Sequence, residues 1–142
     1  MKFSFKNDYS EGCHPKILEA LSQYNLDQQN GYGLDIYSEN AANIIREKSK
    51  SPESKVHLVS GGTQANLIVI SSILRPHESV VSANTGHIFT NETGAIEATG
   101  HKVHGVETKD GKLRPEDIQN VLDVHTNVPH QVKQKLVYIS NS

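Results

Sequence analysis

Apolar positions follow two rhythms along this chain, and the alternation between them outlines its elements. Pro15 suits the first turn of a helix whose apolar residues Ile17, Leu18 and Leu21 fall at helical spacing, so a helix is predicted over Pro15 to Tyr24. The polar, glycine-bearing stretch Asn25 to Asp35 reads as a loop. Ser38, Asn40 and Ala41 then open a second amphipathic helix through Ile44 and Ile45, ending near Lys50. From Val56 the period shortens: Val56 to Val59 reads as a strand, breaks at Gly61-Gly62, and passes into a buried helix from Thr63 to Leu74 carrying Leu67, Ile68, Ile70 and Ile73. The same grammar repeats with a strand over Ser79 to Ala83, a loop through His87, a short helix near Glu92 to Ala98, and a strand over Val103 to Val106. Asp110-Gly111 marks a turn. Arg114-Pro115-Glu116-Asp117 opens a helix buried through Ile118, Val121 and Leu122, and Leu136 to Ile139 reads as a last strand.

Strands that alternate with helices call for crossover connections, so the expected fold class is α/β: a mostly parallel sheet with flanking helices. The chain is expected to form one unit over residues 1–142, with an extended arm at about 1–14. The last strand is apolar on both faces and is expected inside the sheet with a helix behind it. Ser142 follows it almost at once, so the expectation is a sequence cut short.

Charge and composition narrow the functional classes. The 14 basic and 16 acidic residues give a net charge of -2, spread without long runs of either sign. That pattern argues against nucleic acid or an anionic membrane as a partner. Cys13 is the only cysteine, which excludes an internal disulfide and suits a reducing compartment, so the expected location is the cytoplasm. No apolar run reaches the length of a membrane span or a signal-peptide core. The chain reads as a soluble protein.

Two stretches could carry chemistry. Ser60-Gly61-Gly62-Thr63-Gln64-Ala65-Asn66 lies between a strand and an apolar helix, where unpaired N–H groups, a positive dipole end and a hydroxyl could cradle a phosphate. From the turn alone, the plainer reading of a strand-to-helix turn with Thr63 as an ordinary cap is favoured. Neither a Walker loop nor a dinucleotide fingerprint is present. Thr85-Gly86-His87-Ile88-Phe89 occupies the loop or helix start after the next strand, on the rim where open α/β sheets place ligands. There the His87 imidazole could lie flat on a cofactor ring or accept a proton from a hydroxyl, although a lone loop histidine is more often solvated or structural. His101 and His104 are expected on opposite faces and His57 in a hydrogen-bonded core strand, so no metal site is expected. Glu92, after His87, could orient a cofactor-side group or favour the N-terminus of its helix, of which the second is preferred, and Cys13 is read as packing.

Taken in order, FKNDYSEGCHP, NGYGLDIYSE, SGGTQANL, TGHIF with ETGAIEATGHKV, DGKLRPEDI and LVYIS resemble the opening part of the threonine aldolase and β-eliminating lyase family, over nearly the whole chain. The resemblance implies the N-terminal part of the large domain of a fold-type I pyridoxal-phosphate enzyme. It further implies a cofactor phosphate held by Gly62, Thr63 and Gln64, and an imidazole from His87 stacked on the pyridine ring with a part in handling the substrate's β-hydroxyl. Asn7 stands beside Asp8 at a position that contacts the substrate carboxylate, where many aldolases have serine. Tyr32 matches a tyrosine supplied by a neighbouring subunit, which implies a homo-oligomer. The implied reaction cleaves a β-hydroxy amino acid to glycine and an aldehyde, with β-elimination as the enzymatic alternative. The lysine that links covalently to the cofactor, the aspartate that pairs with its ring nitrogen and the arginines that clamp the substrate carboxylate have no counterpart among these residues. Lys133 and Lys135 precede the last strand and do not take the lysine's place. The isolated chain is therefore expected to be inactive, or to be a non-catalytic fragment that needs a second chain carrying the missing C-terminal part.

Overall fold

A computed structural model describes residues 4, 6–7 and 9–140 of the chain. They fall into two compact units, residues 1–58 and 59–142. Asp8 and part of the expected N-terminal arm lie outside the described residues.

In the first unit, α1 (Pro15–Tyr24) starts where the pattern placed it, with Pro15 in its first turn and His14 Nδ1 accepting from the Lys16 N–H at 3.2 Å. The second helix, α2 (Ile36–Lys48), begins earlier than the apolar rhythm suggested because Asp35 caps it. The Asp35 carboxylate accepts from the Ser38 N–H at 2.8 Å and the Ser38 hydroxyl at 2.6 Å, satisfying an orphan donor of the first turn. Those bonds hold the Asp35 carboxyl below its usual pKa, the Ser38 hydroxyl acting most. Beyond α2 the Arg46 guanidinium donates to the Ser54 carbonyl at 2.8 Å and closes the turn.

The strand expected over Val56 to Val59 does not form. β-propensity is realised only against a ladder partner, and the run has none among the described residues. His57 is accordingly exposed in irregular backbone, not set in a core strand.

The second unit opens with α3 (Gly62–Ile73), followed by β1 (Glu78–Ala83), the short helices α4 (His87–Thr90) and α5 (Ala95–Ala98), β2 (Val103–Val106), α6 (Pro115–Val124) and β3 (Lys133–Val137). The three strands form a parallel sheet in the order β2-β1-β3. β1 is central and almost wholly buried, as its continuous apolar and small-residue run requires. Side chains alternate across it. Val80, with its partners Val103 on β2 and Leu136 on β3, meets Leu67, Ile70 and Leu74 of the α3 segment, Ile88 of α4 and Ile96 of α5. On the same face Gly105 leaves room for an aromatic ring: a Cβ there would lie 2.5 Å from the Phe89 ring.

Three expectations change. α3 is buried on one face only: Ile70 is buried, whereas Ile68, Val69 and Ile73 are half exposed. The stripe of α6 is half covered and Leu122 is exposed. The last strand runs over Lys133–Val137, starting and ending earlier than the apolar run Leu136 to Ile139, because the backbone that pairs with β1 begins at Lys133 opposite Glu78. It forms an edge of the described sheet with alternating exposure, so Lys133 and Lys135 lie within it and face solvent, not before it. No helix among the described residues is long and apolar enough to cross a membrane.

Candidate functional site

The carboxyl rim of the sheet in the second unit gathers the two stretches singled out in the sequence. A short turn joins α3 to β1, so the helix runs back along the strand and its first turn returns to the rim where β1 ends. The helix cap falls on Gly61, in extended backbone, with no side-chain cap, so Thr63 is not the ordinary cap that the turn alone suggested. The N–H groups of the first turn therefore lack intrahelical acceptors, and the positive end of the helix dipole is open. A Cβ at Gly61 or Gly62 would meet nothing within 4 Å, so there is free space over both residues, and Thr63 is exposed beside it. Gln64 behaves differently. Its side-chain oxygen accepts from the Ser60 N–H at 2.7 Å and the Ser60 hydroxyl at 2.9 Å, so it braces the turn and offers a ligand only its main-chain N–H.

His87 is the first residue of α4, carried just past the end of β1 by a tight turn in which the Gly86 N–H donates to the Ala83 carbonyl at 2.8 Å. Gly86 is required there by proximity: a Cβ would fall 2.0 Å from the Ser82 hydroxyl and 3.0 Å from the Ala83 carbonyl oxygen. The imidazole is 47% exposed, and its Nε2 lies 3.7 Å from a Glu92 carboxylate oxygen whose side chain is fully buried. That same Oε1 accepts from Asn66 Nδ2 at 2.7 Å, which ties the second turn of α3 to the segment bearing His87. Glu92 is thus no surface residue at a helix start but the buried link between the two stretches. Local pattern could not reveal this, since its partner lies 26 positions away.

Beside His87, a cleft of about 410 Å³ opens at the ends of β1 and β3, lined by Ser82, Ala83 and Gly86, by Gly111, Lys112 and Leu113 of the segment after β2, and by Tyr138, Ile139 and Ser140. Such a crevice at the carboxyl ends of parallel strands is where open α/β sheets take ligands.

Asn7 and Tyr32 belong to the first unit. Asn7 Oδ1 accepts from the Ser10 hydroxyl at 2.6 Å and the Tyr9 N–H at 3.2 Å, a local turn. Tyr32 has φ 63° and is fully exposed, followed by Gly33 at φ 75°. Two successive left-handed residues make a sharp bend, costly for a tyrosine. Three other histidines make structural contacts: His101 Nδ1 lies 3.2 Å from the Glu78 carbonyl, and His104 meets His125 edge-on with ring centres 4.6 Å apart. Among the described residues, no group of three or more His, Cys, Asp and Glu side chains is placed to hold a metal ion.

A parallel α/β unit with an anion-ready helix start and an imidazole on one rim has the chemistry to receive a phosphate-bearing aromatic group. The chain belongs to the beta-eliminating lyase family, whose model matches residues 9–142. It is 30% identical over 134 residues to a low specificity L-threonine aldolase of Pseudomonas sp. (strain NCIMB 10558) and 28% identical to that of Pseudomonas aeruginosa, in each case over 90% of this chain and 38% of the relative. The solved threonine aldolase of Leishmania major superposes with a TM-score of 0.91 at 51% identity, covering 99% of this chain and 41% of that one. The fold is that of the fold-type I pyridoxal-phosphate enzymes, and the enzymes of this family depend on pyridoxal phosphate. The chain spans about two fifths of the length of the relatives it matches. The uncapped amides and open space at Gly61 and Gly62 fit a phosphate monoester, and the half-exposed imidazole fits the face of an aromatic ring.

Proposed function

We propose that this chain supplies the phosphate cradle and the ring-facing imidazole of a pyridoxal-phosphate-dependent lyase that cleaves β-hydroxy amino acids to glycine and an aldehyde. The observation that carries the reading is the Asn66–Glu92 hydrogen bond, which brings the uncapped start of α3 and His87 onto one rim. The main-chain N–H groups of Gly62, Thr63 and Gln64 hold the phosphate and the Thr63 hydroxyl adds a fourth donor. His87 lies against the ring, where its outer edge can take the proton of a substrate β-hydroxyl. Asn7 receives the substrate carboxylate, and Tyr32 serves the site of a second copy in a homo-oligomer. When bound, the cofactor supplies the electron-accepting ring that lets the Cα–Cβ bond break. The setting is the cytoplasm, in keeping with the exposed thiol of Cys13.

In this reading the 142 residues alone do not turn over. Of the lysines weighed by sequence order, Lys133 and Lys135 lie in β3 and face solvent, away from the rim that bears the cradle and His87, whereas Lys112 lines the cleft on that rim. Absorbance of the chain with pyridoxal phosphate, before and after borohydride, followed by mass analysis, tests this. Reversible binding that Thr63→Val weakens, with no one lysine specifically labelled, is the expected result. A single labelled lysine together with glycine release from threonine would overturn the inactivity, and no binding at all would overturn the cradle. β-Elimination, the reaction in the family's name, is separated in any active assembly by its products, pyruvate and ammonia in place of glycine and aldehyde.

A further inference from the structure

A buried carboxylate needs partners for both oxygens, and Glu92 has one. Its side chain is fully buried; Oε1 accepts from Asn66 Nδ2, while Oε2 is buried with no hydrogen-bond partner. Leaving a buried carboxylate oxygen unpaired is costly, more so than for a neutral group. Among the described residues, the only basic nitrogen within 4 Å of this carboxylate is His87 Nε2, at 3.7 Å from Oε1, the oxygen that Asn66 also holds. That separation is roughly 0.5 Å beyond hydrogen-bond range, within reach of a small rotation of a half-exposed ring.

We infer that Glu92 is a positioning residue that accepts a hydrogen bond from His87 Nε2–H, fixing the imidazole in its Nε2–H tautomer and leaving Nδ1 as the open, proton-accepting atom. The inference deepens the reading of His87 given above and rests on it for the function of that residue. A carboxylate accepts and does not donate, so the nitrogen that faces it must carry the proton, and in the neutral ring the other nitrogen then has the free lone pair. Asn66 keeps the carboxylate from turning away. Because Asn66 stands one turn into α3, the ring is referenced to the helix that presents the Gly62 to Gln64 amides, not merely to its own short α4.

The test reads the imidazole directly by nitrogen-15 correlation spectroscopy on the 142-residue chain at a pH where the ring is neutral, with the His87 signals assigned by their loss in His87→Gln. The expected wild-type pattern is a protonated Nε2, an unprotonated Nδ1, and an Nε2 proton protected from solvent exchange. In Glu92→Gln the carboxamide oxygen stays with Asn66 and still faces the ring, so the Nε2–H tautomer is kept but the neutral acceptor holds the proton less tightly and its exchange quickens. Glu92→Met fills the same volume without an acceptor, and the protected Nε2 proton is lost. A wild-type ring with its proton on Nδ1, or one with no protected Nε2 proton, would overturn the inference whether or not either Glu92 variant folds. So would a tautomer and an exchange rate that neither substitution changes. No cofactor enters these measurements, so failure to bind pyridoxal phosphate would sink the lyase reading and leave this result standing.

Discussion

His104 shows how one side chain ties stability to acidity. It is 8% exposed on β2, with Gln134 Nε2 at 3.3 Å from its Nε2 and the His125 ring against it. Burial first, then Lys102 and His125, push its pKa from 6.5 down to about 4. The folded state therefore prefers the neutral ring more than the unfolded chain does. Its contribution is complete above pH 6.5 and is lost progressively as pH falls toward 4, by an amount on the order of 1–3 kcal/mol. Urea midpoints between pH 7 and 4 should fall, and His104→Leu should flatten that slope; an unchanged slope would show that other groups set the acid limit. A second residue-scale expectation concerns Gly86→Ala, which pushes a methyl group into Ser82 and the Ala83 carbonyl. It should cost about 1–3 kcal/mol and shift the His87 signals. His87 and the Gly62 to Gln64 turn are singled out by their place on the rim and by the family resemblance, since local pattern alone favours an ordinary turn and a solvated or structural histidine. The burial of Glu92 and its bond to Asn66 were not legible, because burial of a charge is decided by residues that meet it only after folding.

At the scale of elements, β1 and β2 were legible to within a residue and α1 to the residue, since each is a short run with one clear period and strong flanking signals. The run Val56 to Val59 has the same local signals but lacks a ladder partner among the described residues, and β3 is placed by pairing with β1 and not by its apolar tail. α3 was read as buried because it is apolar on most sides, yet only one face is covered. Ile70→Ala should therefore cost about 2–5 kcal/mol, while Ile73→Ala on the same helix should stay within about 0.5 kcal/mol; equal losses in urea denaturation would mean that the second face is buried too. At the start of α6 the Asp117 carboxylate accepts from the Arg114 N–H at 2.9 Å. Asp117→Ala should cost about 1 kcal/mol in the same assay.

At the scale of the whole molecule, each unit carries apolar surface of its own. Ile17, Leu18 and Leu21 of α1 are more than half exposed, and in the other unit so are Val69 and Ile73 of α3. Contiguous apolar patches are rare on monomeric proteins and mark association surfaces. Sedimentation velocity over a range of concentrations should thus show species heavier than the 15.7 kDa chain, and a single 15.7 kDa boundary throughout would count against the proposed homo-oligomer. The α/β class itself was readable from the alternation of periods, because parallel pairing leaves few other ways to connect strands and helices in that order.

The bare Gly105 beside Phe89 carries a lesson about inheritance. Phe89 stands two positions after His87 on the same short helix, and strand β2 leaves it a place by having no side chain at 105. The two positions share one volume, so among descendants of this sequence they should change together: an alanine at 105 should be tolerated where 89 has shrunk to leucine and resisted where phenylalanine persists. A stability cycle across Gly105→Ala, Phe89→Leu and the double variant would show it as a favourable coupling, and strict additivity would mean that the ring simply swings aside.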